Sequence, residues 1–331
     1  MSFTVEKPGV MTIVQDLGRW GHQSRGVTVS GPMDQFSLRT GNVLLGNDQN
    51  DAALEITLFG LEIVLNVEQC VVLAGADLNM RINGAPAPAW TVHRVPRGSR
   101  IAMGGMSGDG CRSYLCFSGG VGVPLVMGSR STYTKASLGG CEGRALKSGD
   151  VVPLNEPRPL WRRCAGFACP PELRPTRVPS EMISAMDGPQ ADAFTQAGME
   201  TFYGATFTVS NDIDRMGYRL DGPEIERCKS PDIVSDGIAH GAVQVPGHGR
   251  PIVMMSDRQT TGGYTKIAVV STWSVARLAQ RMPGGEVRFR RVTEDEAVSR
   301  LAEFERNLET LDDMRASYRS RAHWRFEGEV I

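Results

Sequence analysis

Acid, base, amide and hydroxyl side chains crowd together once in this sequence, in Asp257-Arg258-Gln259-Thr260-Thr261-Gly262-Gly263-Tyr264-Thr265-Lys266. Asp257 and Lys266 are the acid/base candidates, because a lysine partly desolvated beside glycines is lowered toward use as a base. Gln259, Thr260 and the backbone amides of Gly262 and Gly263 are suited to donate hydrogen bonds to a developing oxyanion. Four apolar residues precede this stretch, Ile252 to Met255, with no helical spacing, so the polar residues stand at the end of a buried strand. A surface lysine at a strand entrance is the bland alternative for Lys266.

An earlier stretch, Pro124 to Lys135, echoes Pro251 to Lys266 in its apolar start, its serine-then-charge step and its Tyr-Thr-Lys ending. Within it, Ser129-Arg130-Ser131-Thr132 offers hydroxyls and a guanidinium fork that fits a carboxylate or carbonyl bidentately; a solvated turn is the alternative. Asp214 with Arg215 either braces a charged turn or holds one side of a cleft. In Gln15-Asp16-Leu17-Gly18-Arg19-Trp20-Gly21, Asp16 and Arg19 read equally well as an ion pair bracing a turn. His240 and His248 flank the strand before the polar stretch, and each reads as a turn histidine. The Walker, dinucleotide-binding and Gly-x-Ser-x-Gly patterns do not occur in the sequence.

The elements that must position these groups are mostly β. Glycine is abundant, 38 of 331 residues, and falls at closely spaced turns. Leu61 to Val67, Cys70 to Leu73, Ala89 to Val95 and Arg112 to Phe117 read as strands, with Asn83-Gly84 as a tight hairpin turn. Helices are expected over Met33 to Leu45, from Asp187-Gly188-Pro189 to about Gly198, and over Thr272 to Gln280. The first two repeat an early Asp and Phe, Asp34 with Phe36 and Asp192 with Phe194, so the halves look alike. Asn155 to Pro179, rich in proline and arginine, reads as a linker whose Trp161 and Phe167 pack onto something. After Arg291 the pattern is helical: Thr293 and Glu296 form a capping box, and Ala297, Leu301, Phe304, Leu308 and Leu311 share one stripe. From about Arg319 onward the sequence has no readable pattern.

Charge is balanced, with 36 basic and 37 acidic residues. Neither nucleic acid nor an anionic membrane is an expected partner, and a small neutral or anionic ligand fits better. The start, Met1 to Val10, lacks the apolar core of a signal peptide, and seven cysteines are an odd number, so a cytoplasmic location without disulfides or metal is expected.

Seven segments in this order resemble one family: Val14-Gln15-Asp16-Leu17-Gly18-Arg19, Ala53-Leu54-Glu55-Ile56-Thr57, Gly119-Gly120-Val121, Met127 to Thr132, Gly139 to Arg144, Arg215 to Leu220 and Asp257 to Tyr264. It is the KipA-like, biotin-dependent carboxyltransferase family, also called allophanate hydrolase subunit 2, and the resemblance runs from Val5 to Val292. The resemblance implies two tandem cyclophilin-like β-barrels, over 1–154 and 176–292, with a linker at 155–175 and a helical tail at 293–331. It implies a site built from Asp34, Ser129, Arg130, Thr132, Asp214, Arg215, Asp257, Gln259, Thr260 and Lys266, to which the reading of the polar stretch adds Gly262, Gly263 and Tyr264 as binding candidates. Thr265 stands where the family often has proline, which leaves the approach to Lys266 less stiff.

The activity implied is that of the C subunit of an ATP-dependent 5-oxoprolinase. Such a protein forms part of the lactam cleft, beside a KipI-like B subunit (the allophanate hydrolase subunit 1 type) and an A subunit, with ATP used by the complex and no covalently bound cofactor. Two alternatives belong to the same resemblance. One is carboxyl transfer from carboxybiotin to urea or a similar amide, and the other is a non-catalytic regulator of a KipI-like kinase inhibitor. The absence of an Ala-Met-Lys-Met biotin-attachment motif favours the first reading.

Overall fold

The computed structural model describes residues 1–108, 110–175 and 181–326. Among these the chain is mostly β, with four α-helices: α1 (Gln35–Leu45), α2 (Gln196–Gly204), α3 (Thr272–Ala279) and α4 (Glu294–Phe326). It divides into two compact units. The first holds Met1–Gly18, Gln35–Thr176 and Glu303–Ile331, and the second holds Arg19–Asp34 and Arg177–Ala302.

The first unit has a six-stranded and a five-stranded sheet around one apolar cluster, in which Phe3 and Phe117 stack at 5.1 Å. The expected strand Arg112–Phe117 forms as read and is buried throughout. It pairs with Gln69–Gly75, and α1 lies across both. Gly41 permits that approach, since a Cβ there would lie 2.7 Å from the Cys116 sulfur. Asn83 and Gly84, at φ 49° and 84°, turn the short hairpin Arg81–Ile82/Ala85–Pro86 with the positive backbone angles that a tight hairpin demands. Of Ala89–Val95 only His93–Val95 is a strand, because Trp90 adopts a left-handed φ of 61° and breaks the extended run.

The capping box is present at the start of α4. The Thr293 amide donates to Glu296 Oε2 (2.8 Å) and the Glu296 amide to Thr293 Oγ1 (3.2 Å). Farther along, Phe304, Leu308 and Leu311 are buried, and Phe304 meets Phe36 edge-on at 4.6 Å. Removing each of those three side chains from water stabilises the docked helix by about 1.5–3 kcal/mol. Arg39 secures the same turn with a bidentate pair to Glu305, at 2.8 and 2.6 Å. The part of the tail that carried no readable sequence pattern is helical as far as Phe326, and 327–331 lie outside the described residues. In the linker stretch, Phe167 is buried against Tyr318 and its carbonyl accepts the Val92 amide. Residues 176–180 of that stretch lie outside the described ones.

The second unit is built on an eight-stranded, nearly closed sheet. Its strand order is Glu286–Val287, Phe207–Ile213, Gly217–Asp221, Ile252–Met254, Ala242–Gln244, Lys266–Val270, Ile183–Asp187 and Phe289–Arg291. Every pairing is antiparallel except the last. Phe202, Phe207 and Phe289 cluster in its core.

The helix expected after Pro189 begins later than its turn signal suggests. Ala191–Ala193 form a 3-10 turn, and α2 starts where Thr195 Oγ1 accepts the Gly198 amide, a side-chain cap stronger than the Gly-Pro signal. The apolar start of Pro124–Lys135 is likewise not a strand. Leu125 is exposed, Met127 has φ 53°, and the Val126 amide donates to the Ser129 carbonyl in a tight turn. The resemblance to Ile252–Met254, a real strand, is therefore one of sequence and not of local structure.

Candidate functional site

The polar stretch after Met254 falls into two parts. Ser256 and Asp257 form a turn, while Thr261–Tyr264 become a strand that pairs with Asp232–Gly237 as a separate two-stranded ribbon. The glycine pair thus lies in a strand and not in a loop. Lys266–Val270 then joins the main sheet beside Ala242–Gln244.

The turn is closed by internal bonds. Asp257, 2% exposed, is held by Arg215 through Nε (3.0 Å) and Nη2 (3.1 Å) and by the Ser30 hydroxyl (2.6 Å). Arg215 Nη2 also donates to the Gly31 carbonyl, Thr28 Oγ1 to the Arg258 carbonyl and Ser256 Oγ to the Pro32 carbonyl. Both oxygens of Asp257 are engaged, so this carboxylate serves as the anchor that ties Ser256–Arg258 to residues 28–32. Asp34 accepts from Gln280 Nε2 (2.9 Å), and Asp214 Oδ1 accepts the Met216 and Gly217 amides to close its own turn. Burial pushes the Arg258 guanidinium down to about 10, and its Nε donates to the Ile238 carbonyl at the base of the ribbon.

Lys266 belongs to a different group. Register places it opposite Gln244, at a break in the pairing between Val243 and Gln244, and places Asp236 opposite Gly262. Cross-strand partners carry their side chains on one face, and a bulge re-aims them. The result is a cluster of Gln190, Asp236, Gln244, Gln259, Gly262 and Lys266. The Lys266 ammonium, on a residue 2% exposed, pairs with the Asp236 carboxylate, whose side chain is 44% exposed. Gln190 bridges the pair: its Oε1 accepts the Lys266 amide (3.1 Å) and its Nε2 donates to Asp236 Oδ2 (3.3 Å).

This cluster is not closed. Gln244 Nε2, Gln259 Oε1 and Thr265 Oγ1 are shut off from solvent and have no hydrogen-bond partner. Such atoms are rare in native proteins and each cost free energy, so they call for an explanation. Gly262 packs closely against the two glutamines: a Cβ there would lie 2.6 Å from Ile238 Cδ1, 2.9 Å from Gln244 Nε2 and 3.4 Å from Gln259 Nε2. A buried cation, an open amide donor and an open amide acceptor can bind a neutral polar group and polarise its carbonyl.

Nearby, His240 is part-buried as a residue, yet its Nε2 is closed to solvent and unpartnered. Burial and, next, the guanidiniums of Arg258 and Arg215 push its pKa down, so it is held neutral.

The first-unit candidates are closed in the manner of Asp257. Asp16, 2% exposed, accepts the Ser129 hydroxyl (2.5 Å), the Ser131 hydroxyl (2.6 Å), the Arg130 amide (2.5 Å) and the Gly18 amide (3.0 Å). Arg130 Nε donates to the Val123 carbonyl and Thr132 Oγ1 to the Val14 carbonyl. A cavity of about 590 Å³ in this unit is lined by α4 and Phe167, and among the described residues none that lines it has an orphaned buried polar atom.

The structure therefore gathers Lys266, Gln259 and Gly262, sets Asp257 and Arg215 in their own buried pair, and leaves Ser129, Arg130 and Thr132 in the other unit. Thr260, whose carbonyl accepts the Ile238 amide, and Gly263 and Tyr264 belong to the ribbon and its entrance. Three members of the cluster escape the sequence reading: Gln190, Asp236 and Gln244. Only Gln244 left a local signal, as an amide between Val243 and Val245 in a strand otherwise apolar.

Comparison with known proteins gives the cluster its context. The family profile described as carboxyltransferase domain, subdomain A and B, matches residues 25–291. The 5-oxoprolinase C subunit of Escherichia coli K12 is 36% identical over 307 residues, 92% of this chain and 96% of that protein. The 5-oxoprolinase C subunit of Haemophilus influenzae is 35% identical over 86% of this chain and 89% of its own length. Among solved structures, the Kluyveromyces lactis urea carboxylase superposes with a TM-score of 0.87 at 30% identity, covering 94% of this chain but only 29% of that larger one.

Proposed function

The chain belongs to the carboxyltransferase domain, subdomain A and B, family, and we propose that within it this chain is the C subunit of a multi-subunit, ATP-dependent 5-oxoprolinase. The observation that carries the reading is the 36% identity that extends over 96% of the Escherichia coli C subunit. That likeness is to a whole component of that enzyme.

In this reading the second unit supplies part of the lactam cleft. Lys266, buried and oriented by Asp236, places a positive charge where the lactam oxygen gains negative charge, and Gln259 and Gly262 border the ring. Thr260, Gly263 and Tyr264 shape the entrance. Asp257 with Arg215, Asp34 and Asp214 fix the turns behind it, and in the first unit Ser129, Arg130 and Thr132 hold their own loop around Asp16. ATP is used by the complex, which also contains an A subunit and a KipI-like B subunit, and no cofactor is covalently attached to this chain. The finer architecture we infer is a pair of cyclophilin-like barrels in tandem, over 1–154 and 176–292, supported by the near closure of the eight-stranded sheet.

A second reading, carboxyl transfer from carboxybiotin to an amide, has one observation in its favour: the TM-score of 0.87 to the urea carboxylase structure. Reconstitution separates the two. Mixed with its KipI-like neighbour at micromolar concentration, this chain should co-elute on gel filtration, and glutamate release from 5-oxoproline should require both proteins, the A subunit and ATP. Turnover by the isolated chain, or failure to associate, overturns the proposal. Carboxylation of urea by the chain and its KipI-like neighbour, supplied with a biotin carboxylase, a biotinylated carrier, bicarbonate and ATP, supports the second reading.

A further inference from the structure

The segment Asp187-Gly188-Pro189 carries a helix-start signal in the sequence but starts no α-helix, since α2 begins at Gln196. It is instead pressed against the strand that carries Lys266. The Gly188 amide donates to the Ile267 carbonyl (2.8 Å), and the Gln190 amide donates to the Lys266 carbonyl (3.3 Å). A Cβ at Gly188 would lie 2.3 Å from that same Lys266 oxygen, so only glycine lets the turn come this close.

The contact delivers one side chain, Gln190, to the Lys266–Asp236 pair. Its Oε1 accepts the Lys266 amide and its Nε2 donates to Asp236 Oδ2, while the Lys266 ammonium takes Oδ1. The Lys266 amide can only donate and the Asp236 carboxylate accepts, so the two ends of the Gln190 amide cannot trade places. One planar group thereby ties the strand that carries the ammonium to the carboxylate that faces it.

Asp236 needs such a tie. It lies on the ribbon of Asp232–Gly237 and Thr261–Tyr264, whose strands pair only with each other among the described residues, and the pairing is irregular between Asp232 and Asp236. Val234, two residues before it, is 92% exposed. A two-stranded ribbon is marginally stable by itself. An ion pair with one half-exposed partner also holds a single geometry poorly, because the exposed side chain gains rotamer freedom by leaving. A second hydrogen bond, to the other carboxylate oxygen, keeps the carboxylate in one orientation.

We propose that Gln190 is a positioning residue that locks Asp236 onto Lys266, and that the Gly188-Pro189 turn is built to deliver it. This rests on the 5-oxoprolinase reading, in which Lys266 is the charge that acts on the lactam. Gln190 bears on the reaction only through Asp236 and Lys266. The titratable groups on the elements around it are Lys266 on the strand and Asp232, Asp236 and Tyr264 on the ribbon. Its own segment adds Asp187, paired with Arg291 (2.9 Å), and Asp192, paired with Lys229.

The test measures glutamate release by the complete complex, with each variant referred to the parent at the same pH. Gln190→Leu should lower kcat about tenfold, within the ~10²-fold that misplacing a reacting group can cost, and leave KM within about twofold. Because Gln190 acts through Asp236, adding Gln190→Leu to Asp236→Ala should change kcat by less than about twofold. Gln190→Glu keeps the size, so it guards against a folding defect in the leucine variant, and it gives a signature that packing alone does not. Deprotonated, the introduced carboxyl accepts where a donor is needed and faces Asp236 as a like charge; protonated, it donates to Asp236 Oδ2 as the amide does. Its activity relative to the parent should therefore rise at least about threefold from about pH 8 to about pH 6, while that of Gln190→Leu stays flat. Unaltered kcat in Gln190→Leu, losses that multiply in the double variant, or a pH-independent Gln190→Glu ratio overturns the positioning role and leaves the 5-oxoprolinase reading standing. A parent complex that releases no glutamate overturns both.

Discussion

Two polar clusters in this molecule use the same residue types and end in opposite states. Around Asp16 in the first unit, two hydroxyls and two backbone amides spend themselves on one carboxylate, and both of its oxygens are taken. Around Lys266 in the second unit, one carboxylate meets one ammonium, and two buried glutamine atoms are left with nothing to bind. A closed cluster has already met its hydrogen-bonding needs within the chain, so it holds a loop in place. An open one retains unmet need at a defined position, and a ligand can supply it. Residue type does not separate the two cases. Both stretches read from sequence as candidate binding loops, and only the accounting of bonds tells them apart.

The comparison can be broken most forcefully at the Asp257–Arg215 pair, which is closed like the Asp16 cluster although it sits next to the open one in sequence. Asp257→Ala leaves Arg215 buried without its carboxylate, and should cost about 3–5 kcal/mol in urea unfolding. A cost below about 1 kcal/mol would mean that the pair is not the anchor described here.

Asp16→Ala should come next, at about 2–3 kcal/mol, since it strands the Ser129 hydroxyl and the Arg130 amide together. Its remaining folded fraction should assemble into complex with normal turnover per molecule. Reduced turnover by fully folded Asp16→Ala would show that the closed cluster is not merely structural.

The smallest effect is one of pH, at His240. Its folded-state pKa is depressed, so the unfolded chain binds the proton more readily, and the stability present above pH ~6.5 is lost as pH falls below that value. The slope from this group is at most about 1.4 kcal/mol per pH unit. His240→Asn should flatten the stability profile between about pH 6.5 and 5, and a profile identical to the parent would exclude His240 as its source.

What the sequence discloses in advance is whatever depends on near neighbours. The Thr293/Glu296 capping box, the Phe304, Leu308 and Leu311 stripe, and the strand Arg112–Phe117 are each written within a few residues and form as expected. The second helix is displaced because two local start signals compete and the Thr195 side-chain cap prevails over Gly188-Pro189. The site is less legible because it depends on register between strands distant in sequence. Lys266 and Gln259 stand out by their company, whereas Asp236 and Gln190 enter only once the ribbon and sheet are paired. Nor does local sequence reveal that Asp257 is bonded to Ser30, 227 positions away.

The central claim is that the open cluster is where this chain meets its substrate, and Lys266→Ala in the reconstituted complex tests it most directly. ATP-dependent glutamate release from 5-oxoproline should fall about 10²- to 10³-fold. Thermal unfolding should stay close to the parent, because the Asp236 side chain left behind is 44% exposed and solvated. A Lys266→Ala complex that releases glutamate at the parental rate would contradict the account.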